Sequence, residues 1–479
     1  MADASVAGPV RPSQHMHPGH TRSASAPPSV LEESGILLPA NRFYNEESQR
    51  INDRIDEELR KESQRRKEAK RKEIKVMLLG QAESGKSTLQ KQFQLYYASQ
   101  TLDSEKPSWK PVVHFNIIKA VKTIVEELEW EFSRSPGSGS ASADDPDFSE
   151  PIDVSEAERE DLFSIRSRVL PLIALQDALA SELSGGVSIS GGRTGVFVRA
   201  GWQGLLSTAS RNWTSTKPQV VANMAAKALN ETQEDISLLW RHPVVKRMIT
   251  LRKIRLEESA PFFLDNIVRI SEPDYIPNTG KLRSTWSRGP SMLMTITDDV
   301  LNVRLQTLGV IEHSFPINLG GMMYEWRLYD VGGARGQRHA WIPYFDDATA
   351  IIFLAPISAF DQYLEEDARV NRIDDSLQLF TAVCSNKLLK KAHLVLMLNK
   401  TDLLQAKLKA GIHVKKYITS YGQRSNKYEE VSSYFRAHFV QVHKRKDTSG
   451  RALYVHFTSM LVSSVYLIVI RMQSQTPHE

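Results

Sequence analysis

A chain of 479 residues is too long for one ordinary hydrophobic core, so two domains with some unstructured segments are expected. The net charge of +5 is mild for that length and gives no reason to expect nucleic acid as a partner. The single cysteine, Cys384, excludes an internal disulfide framework and suits a reducing compartment, and no apolar run reaches the length of a membrane span.

Residues 1–43 are rich in Pro, Ser, His and Ala and read as a disordered leader. The N-terminus has no apolar signal-peptide core. Ala2 follows Met1, so the glycine that myristoylation needs is absent, and no nearby cysteine offers a palmitoylation site. Residues 44–74 change character. Charges of both signs dominate, Ile51, Ile55 and Leu59 fall at i, i+4 spacing, and neither Pro nor Gly interrupts. This predicts a long exposed helix with a narrow apolar stripe and a basic end, Arg65 to Lys72. Such a helix suits docking against another protein or a membrane surface.

An apolar strand from Lys75 ends in Gly80, and Gly80-Gln-Ala-Glu-Ser-Gly-Lys-Ser-Thr88 follows, leading into a helix-permissive stretch. This is G-x-x-x-x-G-K-S in the context the pattern requires, strand before and helix after. Glycines let the backbone wrap with its N–H groups pointing inward, making an anion cradle. The helix N-terminus adds its partial positive charge. Lys86 reaches the outer phosphates, and the Ser87 hydroxyl can ligate Mg²⁺. The pattern alone does not choose between ATP and GTP.

From 100 to 290 the pattern is helical. After Lys106-Pro-Ser-Trp-Lys-Pro, Val112, Phe115, Ile117, Ile118, Val121, Ile124 and Val125 fit a 3.6-residue period. Helical patterns continue through 155–183, 236–240 and 261–270. Low-complexity stretches near 134–150 and 184–200 read as surface loops, and no alternating strand is evident. An all-helical domain inserted after the first helix of the nucleotide domain is the expectation. That nucleotide domain, 75–99 and 291–479, resumes with His313–Leu319 and Met323–Tyr329, which alternate as a strand pair. Ala350–Ala355 and His393–Leu398 are continuous apolar runs, as buried parallel strands are. The whole reads as an α/β doubly wound fold.

Three constellations here carry chemistry. Asp330-Val331-Gly332-Gly333 follows an apolar strand. Its carboxylate can hold Mg²⁺ through water, and Gly333 lets a backbone N–H approach a γ-phosphate. In Asn399-Lys400-Thr401-Asp402, the Asp402 carboxylate can accept from the two N–H donors on guanine, which adenine lacks. Asn399 can bond the base and neighbouring loops, while the Lys400 stem covers the ring. In the stretch Val300 to Gly309, Arg304 can neutralise charge on the β–γ bridge, an effect worth about 10³–10⁵ in rate in GTPases, and Thr307 can bring a hydroxyl to Mg²⁺.

Together these stretches resemble the alpha subunits of heterotrimeric G proteins. Further matches are Phe263-Leu-Asp-Asn with Glu272 to Pro277, Leu364-Glu-Glu-Asp with Asn371-Arg372, and His456-Phe-Thr458. The resemblance implies a Ras-like P-loop GTPase domain interrupted by an inserted helical domain, with GTP or GDP and Mg²⁺ clamped between them. It implies that the N-terminal helix and switch region dock a beta–gamma dimer, and that a G-protein-coupled receptor acts upstream. The implied location is the cytoplasm, on the inner face of the plasma membrane, held there through partners. Carried over by position, Glu83, Ser84, Gly85, Lys86, Ser87 and Thr88 would hold phosphates. Ser87 and Thr307 would ligate Mg²⁺, and Leu301 and Arg304 would line the switch side. Gly333 would contact the γ-phosphate, and Asn399, Lys400 and Asp402 would read the base. Glu83 would pair with Arg304.

The departures bear on activity. The family places a glutamine after Gly333 to orient the attacking water, and this chain has Ala334. Slow hydrolysis and a long-lived GTP state are therefore expected. Gln337, three residues on, is the one candidate to substitute for it, but is expected to point elsewhere on the switch helix. Leu308 stands where the family usually repeats threonine. The guanine-side loop reads Thr458-Ser459-Met460-Leu461, with Met460 at the position whose backbone N–H meets the guanine carbonyl. The tail after Val462 does not resemble the receptor-engaging helix of the family. One alternative is a nucleotide-loaded binding module that sequesters beta–gamma or an effector without completing hydrolysis. Another is an ATP-using P-loop enzyme, against which Asp402 argues.

Overall fold

The computed structural model describes residues 40–134, 152–184, 197–198, 202, 220–278, 299–319 and 321–459. Most of the leader, most of both low-complexity stretches, Met460 and the C-terminal tail lie outside the described residues. The N-terminal helix spans Ala40–Arg71, so it starts four residues earlier and stops three earlier than the 44–74 expected. The strand takes over from Glu73, because Ile74 to Leu79 can be buried only by pairing in the sheet. Ile51, Ile55 and Leu59 are 50%, 48% and 57% exposed on this helix.

A six-stranded sheet carries the nucleotide motifs. Apart from a short ribbon of β2 (Phe197–Val198) and β3 (Gln306–Thr307), the strands are β1 (Glu73–Leu79), β4 (Val310–Leu319), β5 (Met322–Val331), β6 (Ala350–Pro356), β7 (His393–Asn399) and β8 (Leu453–Phe457), which form this sheet. The order is β4-β5-β1-β6-β7-β8. All pairs are parallel except β4 with β5, the alternating pair read from sequence. Strands β6 and β7 are almost wholly buried and β1 is buried from Val76 to Leu79, as their continuous apolar runs require. Two apolar clusters line the sheet. One includes Met77, Phe353, Phe380 and Phe439; the other includes Leu78, Phe93, Phe315 and Trp326. The parallel order places the carboxyl ends of β1, β5 and β7 along one edge, where doubly wound sheets bind ligands.

A third cluster is mainly helical. After α1, the N-terminal helix, and α2 (Lys86–Tyr97), it is built from α3 (Ser99–Ser133), α4 (Glu156–Ile173), α5 (Gln176–Leu183), α6 (Val220–Arg241), α7 (Pro243–Thr250) and shorter turns to Ile270, and it extends to Tyr275, Val300 and Val303. Helix α4 opens on a capping box, in which Ser155 and Glu158 satisfy each other's backbone N–H groups. Helix α3 differs from expectation. It begins at Ser99 and runs through Pro107 and Pro111. Each proline removes a backbone donor, yet burial of Leu102 and of Trp109, edge-on to Trp202, holds the turn helical. Three strands go beyond the sequence reading: Leu453–Phe457 at the sheet edge, and Phe197–Val198 and Gln306–Thr307, which pair in parallel, so that a two-residue ribbon ties the inserted segment to the Arg304–Thr307 stretch. No helix among the described residues is long and apolar enough to cross a membrane.

Candidate functional site

The phosphate cradle forms where β1 stops. Gly80, at φ 144°, lies against the carbonyl of Leu354, with which any side chain would collide. Gly85, at φ 101°, is the residue before the helix Lys86–Tyr97. Glu83 also takes a left-handed conformation, at φ 60°. These turns fold the loop over the Lys86 ammonium, which donates to the carbonyls of Gly80 (2.9 Å) and Gln81 (2.6 Å) and to Ser84 Oγ (3.4 Å). Burial pushes the Lys86 pKa down to about 8; Asp330 opposes this, and Arg338 and Arg372 add to it.

Three oxygens meet beside it. Ser87 Oγ donates to Asp330 Oδ2 at 2.7 Å, Thr307 Oγ1 donates to the same oxygen at 3.0 Å, and the two hydroxyls are 3.2 Å apart. Asp330 Oδ1 is buried without a hydrogen-bond partner. An all-oxygen set with one carboxylate and an unsatisfied acceptor fits Mg²⁺, which takes few protein ligands and keeps waters and substrate oxygens for the rest. Ser87 and Thr307 are placed to hold it directly, with Asp330 behind them.

The Arg304 guanidinium sits against carboxylates from two directions. It pairs with Glu83 of the cradle and, at 2.8 Å, with Glu257, in the loop between α7 and the turn Ala260–Asp265. Asn116 of α3 fixes the backbone, accepting from Arg304 N (2.9 Å) and donating to its carbonyl (3.2 Å). Burial alone would raise the Glu83 pKa, but Arg304, Arg372 and Lys400 outweigh it and hold the carboxyl down at about 2. Arg372 braces the loop further through Ala82 O (2.6 Å), Gln81 Oε1 (3.0 Å) and Glu83 (2.9 Å).

At the base end, Asn399 donates to Ser84 O (2.8 Å) and accepts from Thr458 Oγ1 (3.2 Å). Lys400, at φ 64°, pairs with Glu258. Asp402 is exposed. One cavity is lined by Glu83, Gly85, Lys86, Ser87, Thr88, Leu301, Arg304, Thr307, Val331, Gly333, Asn399, Lys400 and Asp402. Ser84, Asp330 and Gly332 stand behind that lining, and Met460 lies outside the described residues. Gly333 packs against the Gln81–Ala82 backbone so closely that no side chain would fit.

A model of the G-protein alpha subunit family matches residues 49–471. The chain belongs to the G-protein alpha subunit family. It is 30% identical to the guanine nucleotide-binding protein alpha-4 subunit of Mycosarcoma maydis, over 83% of this chain and 80% of that one. It is 29% identical to an alpha subunit of Cochliobolus heterostrophus, over 84% and 87% of the two chains. It is 28% identical to the alpha-1 subunit of Mycosarcoma maydis, over 86% and 89%. Membership makes it a guanine-nucleotide-binding signal transducer and a GTPase that uses Mg²⁺, with the Ras-like and helical parts of that fold. As a family, alpha subunits work with beta–gamma dimers and receptors.

One expectation about the site is overturned. Gln337 does not point away: the residue borders the same cavity, and its side-chain amide lies buried against Gly332. The segment Arg335–Tyr344 is a 3₁₀ helix, and Gln337 N donates to Ala334 O at 3.0 Å, so the turn brings residue 337 back over residue 334. Asn116, Glu257, Glu258 and Arg372 were also given no role in the sequence reading. Asn371-Arg372 stood among the matching stretches, and that was the only signal for any of them.

Proposed function

We propose that this chain is a GTP/GDP switch whose hydrolytic step is slow because Ala334 occupies the place from which the family's glutamine orients water. The division into a Ras-like domain (75–99 and 291–479) and an inserted helical domain (100–290) is part of the proposal; the sheet's two apolar clusters and the mainly helical one support it, with Val300 and Val303 joining the helical cluster across the boundary. The roles given to the site residues rest mainly on one observation: Lys86, Ser87, Thr307, Arg304, Asn399 and Asp402, from distant parts of the chain, line a single cavity.

On this reading the cradle N–H groups and Lys86 neutralise the β- and γ-phosphates. Magnesium, when bound, draws charge from the β- and γ-oxygens. A water oxygen bonds to the γ-phosphorus as the bond to the β–γ bridging oxygen breaks. The electron pair leaves with GDP, and the water's proton passes to a γ-phosphate oxygen. Arg304 offsets charge at the bridge. The apolar methyl of Ala334 neither accepts from nor donates to the attacking water, so the GTP state persists. The exposed Ile51, Ile55 and Leu59 support beta–gamma docking through the N-terminal helix, and the basic end Arg65–Lys72 supports attachment at the cytoplasmic face of the plasma membrane together with lipidated partners. Receptor coupling upstream belongs to the same proposal.

The test is displacement of a fluorescent GDP analogue. GTP and GDP should compete and ATP should not; equal competition by ATP, or no binding at all, sinks the reading. Ala334 also favours a second reading, a loaded binding module. Tight GTP binding with no turnover over hours would select it.

A further inference from the structure

The nucleotide cavity lies at the carboxyl ends of β1, β5 and β7, and two loops at the opposite end of the sheet are basic. Lys387, Lys390 and Lys391 lie between the helix Arg372–Ser385 and β7, and Lys444, Arg445 and Lys446 end the helix Tyr428–Lys446; all are exposed. We propose that these two loops form a docking surface for an anionic phospholipid membrane. The inference deepens the membrane attachment proposed above by adding a second contact, on the body of the nucleotide domain.

The first loop turns its cations outward for local reasons. Asn386 Oδ1 accepts from Leu388 N at 2.9 Å and closes a turn. Leu389 is wholly buried. Anchoring that residue leaves Lys387, Leu388, Lys390 and Lys391 on the surface, with Leu388 58% exposed. Arg451 fastens this loop to the second one. It donates to Leu389 O (2.6 Å) and Val383 O (3.2 Å) and pairs with Asp447 at 2.9 Å. Asp447 is the one carboxylate in 386–392 and 444–452, and its side chain is only 3% exposed. Among the described residues none of the six outward cations has an ion-pair partner, whereas exposed lysines elsewhere do, as in Lys61–Glu57 and Lys227–Glu231.

The basic surface continues along the sheet. Thr349 N donates to Lys75 O and His393 N to Thr349 O, so the starts of β1, β6 and β7 stand side by side. Leu453 of β8 pairs with Leu394 next to them. Arg71 and Lys72, both exposed, lead into β1 at this end. Acids interrupt the row at Asp346 and Asp347, and Lys70 pairs with Asp347 at 2.9 Å. Cations in the last turn of a helix also complement its dipole, which accounts for Lys444 to Lys446. It does not account for Lys390 and Lys391, or for an apolar side chain held out among lysines. Ammonium groups around an apolar tip suit a lipid surface, where the charges meet headgroup phosphates and Leu388 enters the acyl boundary. An acidic protein chain would answer only the charges.

The experiment is sedimentation of the full chain with phosphatidylcholine vesicles, plain or containing about one-third phosphatidylserine. The wild type should bind only the anionic vesicles, and affinity should fall on the order of 10-fold or more between about 0.1 and 0.5 M salt. Changing Lys387, Lys390 and Lys391 together to Gln should weaken binding on the order of 10²-fold at low salt. Leu388→Ser should weaken it about 3- to 10-fold, and that loss should persist in high salt, because it is not electrostatic. Thermal melting should not move in either variant, since all four side chains are exposed. A wild type that ignores anionic vesicles overturns the inference; if it binds polyglutamate instead, and the triple variant does not, the surface belongs to an acidic protein. A separate variant changes Arg65, Arg66 and Lys67 to Gln. If that variant lets go of the vesicles while the loop variants bind like the wild type, attachment through the N-terminal helix stands and this inference alone is wrong.

Discussion

The two sides of the nucleotide cavity are built to different standards. On the phosphate and metal side the polar groups hold one another, with only Asp330 Oδ1 left over: Lys86 with the loop carbonyls, Ser87 and Thr307 with Asp330 Oδ2, and Arg304 with Glu83 and Glu257. Beside Gly333, the side that the proposal gives to the attacking water, Ala334 offers only a methyl group. Grip and chemistry are therefore separable here. A site can be preorganised to hold a triphosphate while the last step lacks a firmly placed hydrogen-bonding group.

The largest expected effect tests whether Arg304 belongs to the chemistry as well as to the wall. Arg304→Ala should lower single-turnover hydrolysis on the order of 10³-fold while GTPγS still binds. Loss of binding in proportion would move the arginine to the holding side. Next comes Lys86→Met, which should weaken GDP and GTPγS binding on the order of 10²-fold, as expected when charge-assisted bonds of about 1.5–3 kcal/mol are lost. Titration calorimetry reads this directly, and unchanged affinity would mean that the cradle amides alone hold the phosphates.

How much of this could be read from the sequence follows the same division. Gly80 to Thr88, Asp330 to Gly333 and Asn399 to Asp402 are contiguous, and each sits at the end of an apolar strand, so local pattern sufficed to find them. Asn116 and Glu257 reach Arg304 only because the helical segment folds back over the cavity, and no spacing rule encodes that contact. The Phe197–Val198 ribbon is too short to alternate visibly. Gln337 lies against Gly332 because Ala334 is extended and the bond from Gln337 N to Ala334 O closes a turn there, a local geometry that no residue spacing announces. Pro107 and Pro111 suggested a helix start, but burial of the surrounding face outweighed the two lost donors.

A smaller effect sharpens the phosphate side. The Lys86 pKa is held down at about 8 by burial in the nucleotide-free protein, and a bound phosphate anion raises it. Below pH 8 the lysine is charged with or without nucleotide, so affinity should be flat. Above pH 8 binding must take up a proton, so GDP affinity should fall by up to about tenfold per pH unit until the bound-state pKa is passed. Lys86→Arg should remove the slope. Affinity that rises above pH 8, or a slope that survives Lys86→Arg, would assign the titration to another group.

The most direct test of the separation between grip and chemistry is single-turnover GTP hydrolysis by the wild type beside Ala334→Gln, with GTPγS affinity measured on both. The account predicts matching affinities and a hydrolysis rate that rises on the order of 10-fold or more in the variant, because only the water-orienting group has changed. Equal rates would contradict it, since residue 334 would then not be what limits hydrolysis.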